Sequence, residues 1–179
     1  MTFISLLLPL LQHGLVYGLI LTGLIIAIML VSARINPAVF AGDYPPDIKA
    51  KFGPLDARTE RQKKWVALVF LAAVLGTLGW MVAAMPLAGL TPTFATVFAA
   101  AFVAAFIFNL FDLLILDWLV FVTWRPRFIV LPGTEGLAGY GDYGFHFRGF
   151  LVGLVFCFAA GLLTALIATG LAAITTLLR

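Results

Sequence analysis

Charge is what this chain has least of: 11% of its 179 residues are Asp, Glu, Lys or Arg, against about 25% in soluble domains. Apolar residues make up 63%, more than a soluble fold of this size can cover, so lipid must be the solvent. Cysteine occurs once, at Cys157 in an apolar run, which excludes an internal disulfide and suits a buried packing residue. No His/Cys/Asp/Glu group has zinc-ligand spacing, and no Ser or Cys stands at a nucleophile elbow. Neither a metal nor a cofactor is expected, and the balance leans against an enzyme. The basic residues flank apolar runs and form no stripe interleaved with aromatics, which argues against a nucleic-acid partner. At the N-terminus there is no basic leader, and the apolar run outlasts the ~7–15 residues of a signal-peptide core, so it reads as a retained first span.

Long apolar runs are abundant. The first, Met1 to Ala33, is uncharged and stops at Arg34 and the Asn36-Pro37 pair. The second, Trp65 to Phe111, is too long for one crossing and sufficient for two, with Pro86, Gly89 and Pro92 marking the break. The chain therefore reads as an all-α integral membrane protein, a four-transmembrane-helix bundle in one domain, with spans near 5–33, 65–85, 94–122 and 149–178. Continuous runs exclude the alternating pattern of a β-barrel. Asp56 is an N-cap candidate for a helix leading straight into the second span. Small residues recur on every span, among them Gly14 and Gly18, Gly76 and Gly79, and Gly149 and Gly153, and predict close helix packing.

The connections 34–64 and 124–148 hold ten of the eleven basic residues, and Arg179 is the remaining one. The positive-inside bias predicts both connections in the cytoplasm and both termini outside. In the first connection, Arg58, Arg61, Lys63 and Lys64 should attract anionic membrane lipid.

The stretch from Phe106 to Phe150 carries half of the eight acidic residues. Asp112 lies about 15 Å from the cytoplasmic end of its span, where a carboxylate is costly unless it faces the bundle or a wet cavity. Asn109 shares its face at i−3. Asp117 falls about 140° further round an α-helix, so the two aspartates are not expected to meet. Arg125, Arg127 or Arg148 is the expected partner of Asp117, and Trp118 and Trp124 suit an aromatic belt. Phe128–Leu131 reads as a short extended run. Gly133, Gly136, Gly139, Gly141 and Gly144 follow, and such a loop suits either a tight connector or an amide cradle for an anionic head group. Phe145, Phe147 and Phe150 alternate with His146 and Arg148, as in an interfacial segment. His13 and His146 lie at opposite ends of the spans and cannot share a haem.

The wording FNLFDLLILDWL (108–119), PGTEG (132–136) and YGFHFRGF (143–150) resembles a family of small bacterial multi-span membrane proteins with no known activity. The resemblance covers about a quarter of the chain, implies a bacterial inner-membrane location and adds no mechanism. The expected site comprises Asn109, Asp112 and Asp117 within the membrane, with Arg125, Arg127, Glu135, Asp142, His146 and Arg148 at its cytoplasmic rim. The leading expectation is binding of a lipid or amphiphilic small molecule. The alternatives are a proton- or cation-coupled transporter using Asp112, acting as a homodimer because four short helices enclose little pathway, and a non-catalytic accessory or assembly subunit. An interfacial lipid enzyme using His146, Asp142 and Glu135 is the weakest.

Overall fold

The computed structural model describes residues 3–178. Met1 and Thr2, read as the start of the first span, and Arg179, the basic residue assigned to the outer side, lie outside that range. Every regular element within it is helical, and four helices are long and apolar enough to cross a membrane.

Helix α1 spans Phe3–Ile35 and ends at Asn36. The Asn36 side chain does three things at once. Its oxygen accepts from Ala38 N–H (3.1 Å), capping the 3-10 turn Pro37–Asp43, while Nδ2 donates to Thr59 Oγ1 (3.1 Å) and Gln62 Oε1 (2.7 Å). The exit of the first span is thereby tied to the start of another. Short helix α2 covers Pro46–Phe52 and stops at Gly53, whose φ of +84° suits glycine. Helix α3 spans Ala57–Ala84, capped by Asp56, which accepts from Thr59 N–H at 2.6 Å. It begins eight residues before the expected span, so Arg58, Arg61, Lys63 and Lys64 form its first turns. A 3-10 turn, Met85–Ala88, and Gly89 at φ +69° close the hairpin. Thr93 and Thr96 then cap each other's backbone at the start of α4, Phe94–Phe111.

The same helix continues as Asp112–Trp124 with i→i+5 hydrogen bonds. Such winding is rare and usually confined to a single turn; here it occupies 13 residues. Arg125 ends it in the left-handed region at φ +50°, its N–H on the Val120 carbonyl, and Pro126 prevents continuation. The residues from Phe128 form a 3-10 turn with Arg127 and not the expected extended run. Helix α5, Tyr143–Leu177, begins six residues early, so the aromatic alternation at 145–150 is helical and His146 sits in its first turns.

The spans pack as a row, α3–α1–α4–α5, with α4 against both α1 and α5. Weaker contacts of α3 with α4 and α5 close the row in the half that holds the 85–93 hairpin. There Tyr17, Leu78, Met81, Val97, Ala101 and Ala165 belong to the core of the helix bundle. Gly14 and Gly18 let α1 lie directly on the Ala100 and Ala104 carbonyls of α4, the close approach their spacing predicts. Gly76 and Gly79 behave otherwise: nothing lies near either, so α3 packs through larger side chains. His13, buried on α1, reaches the Met81 carbonyl at 2.9 Å and packs on Tyr17, a bridge between spans far from His146.

In the other half the two long connections fold on each other, forming a second core of Ala41, Tyr44, Ile48, Leu131 and Tyr140. Tyr44 Oη donates to the Ile129 carbonyl (2.6 Å), and Tyr140 Oη accepts from Leu131 N–H (2.9 Å). Asp47 takes the Gly139 amide at 2.8 Å, and a Cβ on Gly139 would strike that carboxylate and Pro45. The glycine-rich segment is therefore a clamp between connections. Gly133 and Gly136, both at φ +79°, supply its turns.

Candidate functional site

Where the i→i+5 winding begins, residues five apart come to lie above one another, so Asp112 and Asp117 share a face. The α-helical phase expected to separate them does not apply. Both line a polar cavity of about 340 Å³ between α4, α5 and Gly42–Asp43. Asn109, His146 and Gly149 complete its polar wall.

His146 is 5% exposed, and its Nδ1 lies 2.9 Å from a carboxylate oxygen of Asp117. The partner of Asp117 is thus a histidine on α5, not one of the expected arginines. Phe121 and Phe145 pack on the imidazole, and Nε2 is buried without a partner. In the neutral ring, the hydrogen bond to Asp117 puts the proton on Nδ1 and leaves Nε2 an acceptor. Asn109 is oriented as firmly, because its Nδ2 donates to the Phe150 carbonyl at 3.1 Å. Gly153 makes this possible, since a Cβ there would occupy the space of the Asn109 amide. Asp112 has no hydrogen-bond or ion-pair partner among the described residues; its charged neighbours are Asp117, Asp43 and His146.

A second cavity, about 120 Å³ and mainly apolar, lies on the other side of the Asp117–His146 pair. Met29, Leu30, Leu116, Val120 and Phe128 contribute its apolar wall, and it shares Asp43, Asp117 and His146 with the polar cavity. A greasy chamber and an acidic one therefore meet across the Asp117–His146 hydrogen bond.

Asp43 is the site residue that sequence reasoning missed. It follows a glycine in a proline-flanked connection and carries no local signal of function; only the fold of that connection onto α4 brings it in. Burial raises its carboxyl pKa, Lys63 pulls the other way, the Asp117 charge adds to the rise and Lys49 again opposes it. Asp43 lines both cavities and keeps an exposed edge. A carboxylate with a raised folded-state pKa costs the fold stability once the pH climbs through its titration, and costs nothing when protonated in both states. Asp43→Asn should therefore melt higher than the parent in detergent at about pH 7, with the difference gone at about pH 3.5.

The expected rim disperses. Arg125 donates to the Val122 (3.0 Å) and Tyr140 (2.9 Å) carbonyls, tying the helix end to the glycine-rich segment. Asp142 caps α5 by accepting from Phe145 N–H at 2.8 Å and lies 3.8 Å from the exposed Arg148. Arg127 and Glu135 are exposed on the connections, and none of these five lines either cavity. Trp124 is exposed at the helix end, whereas Trp118 packs edge-on to Tyr143. Cys157 is buried and free. Among the described residues no three His, Cys, Asp or Glu side chains converge closely enough to hold a metal ion.

No protein-family model matches the chain, and no curated protein or solved structure matches it either.

Proposed function

We propose that this is a multi-pass protein of the bacterial inner membrane that binds a lipid or amphiphilic small molecule, with its two long connections in the cytoplasm and its termini outside. The basic residues of those connections support the orientation. The binding reading rests on one observation: the polar and apolar cavities share the wall made by Asp43, Asp117 and His146. A polar head beside Asp112 and the start of a hydrocarbon chain beside Val120 would fill the two together. Val120→Trp should fill the apolar cavity and leave the polar one untouched. Native mass spectrometry of protein purified in a mild neutral detergent is expected to show a bound amphiphile on the parent and none on Val120→Trp. A parent without adduct, or equal occupancy in both, refutes the reading.

One observation favours a second reading, a proton- or cation-coupled transporter. The acids Asp112, Asp117 and Asp43 with His146 lead from mid-span to Gly42, where Lys49 Nζ lies 3.2 Å from the Gly42 carbonyl. Flux into proteoliposomes that follows the pH gradient and disappears in Asp112→Asn is its test.

A further inference from the structure

Building on the amphiphile reading, we infer that the bound head group is a primary ammonium, so that the ligand class is a long-chain amine. Acidic side chains alone would not carry this, since three carboxylates near one another also suit a solvated or structural cluster. The hydrogen-bond inventory of the cavity decides the matter. Asn109 spends its Nδ2 on the Phe150 carbonyl, so only its oxygen is left to offer. His146 spends Nδ1 on Asp117, and its Nε2, enclosed by protein and without a partner, adds no donor. Asp112, Asp117 and Asp43 add carboxylate oxygens, and no Lys or Arg lines either cavity. Lys49 and Lys63 approach the lining residue Gly42 at its rim, and neither lines a cavity itself.

The chamber thus presents carboxylate oxygens and negative charge, and no side chain that lines it has a free N–H to donate. An anionic head would face like charges without a donor to offset them. A bare divalent ion needs several ligands converging on one point, and these side chains are too dispersed. An ammonium meets both conditions, because its three N–H groups point in different directions and its charge is of the right sign. The neighbouring apolar cavity, at about 120 Å³, has roughly the room that holds a benzene-sized solute. It therefore takes the first few carbons of the chain, and the remainder continues into lipid.

The test uses the full chain in nanodiscs of neutral lipid, with empty discs as background, titrated calorimetrically at about pH 7 with dodecylamine, dodecanol, dodecyl phosphate and dodecyltrimethylammonium. Dodecylamine is expected to bind at least about tenfold more tightly than each of the others. In Asp112→Asn that preference should shrink by about tenfold, with a cooperative thermal transition of the variant showing that it is folded. Should Asp112→Asn not fold, Asp43→Asn should shrink the preference in the same direction. Equal binding of dodecylamine and dodecanol would overturn the ammonium assignment and leave the amphiphile reading standing. So would a phosphate preference, and parity with the trimethylammonium probe would remove the hydrogen-bonding argument and the assignment with it. Absence of binding by all four probes would sink the amphiphile reading itself.

Discussion

Gly18→Leu lowers stability by about 2–3 kcal/mol, and the melting temperature in detergent by about 5–10 °C. A Cβ at Gly18 would stand 2.9 Å from Ile107 Cβ, 3.0 Å from the Ala104 carbonyl oxygen and 3.1 Å from Ala104 Cα. Two of those three atoms belong to a helix backbone, which cannot move aside as a side-chain tip can. The larger side chain must push α1 off α4, along the interface that also holds Gly14 against Ala100 and Val103. Gly76→Leu is the matched control. It makes the same chemical change on α3, where nothing lies near an added Cβ, and should leave the melting temperature unchanged or slightly raised, as expected for replacing glycine in a helix. If both variants lose stability equally, the close α1–α4 approach is not what limits the fold.

The second large effect is electrostatic. Asp117→Ala strips from a histidine that is 5% exposed its only hydrogen-bond partner among the described residues, leaving both ring nitrogens unbonded inside the protein. Removing one member of a buried pair costs about 3–5 kcal/mol, and the lower end applies here because Asp117 keeps a quarter of its surface. Relief of its repulsion with Asp43 and Asp112 offsets part of the loss. A net cost of about 2–3 kcal/mol is expected, read as an earlier thermal transition in detergent. Asp117→Asn retains an oxygen to accept from Nδ1 and should lose less than half as much. Equal losses in the two variants would show that charge, not the hydrogen bond, holds His146.

Both predictions concern α4, and they differ in how far the sequence reveals them. The spacing of Gly14 and Gly18 already announces a close helix contact, because small residues four apart fall on one face of any α-helix. The Asp112–Asp117 relation misleads for the opposite reason. Five residues separate them, and the α-helical repeat assumed for apolar sequence places them about 140° apart. Nothing in the letters Asp-Leu-Leu-Ile-Leu-Asp states that the backbone bonds i→i+5. Once it does, two acids assigned to different surroundings face one cavity. His146 shows a related failure: its aromatic neighbours alternate as if at an interface, whereas the helix begins early enough to bury it.

The sequence by itself determined the number of helices long and apolar enough to cross a membrane, the close approach at Gly14 and Gly18 and the Asp56 cap. These follow from run length, local spacing and the chemistry of single residues, which act over a few turns of chain. Tertiary structure alone decided that α4 rewinds, that Asp43 reaches the carboxylates of α4, and that the glycine-rich segment grips Asp47 in place of presenting free amides. Each of these depends on partners distant in sequence, and the energy of a polar group out of water is set by whichever group ends up beside it.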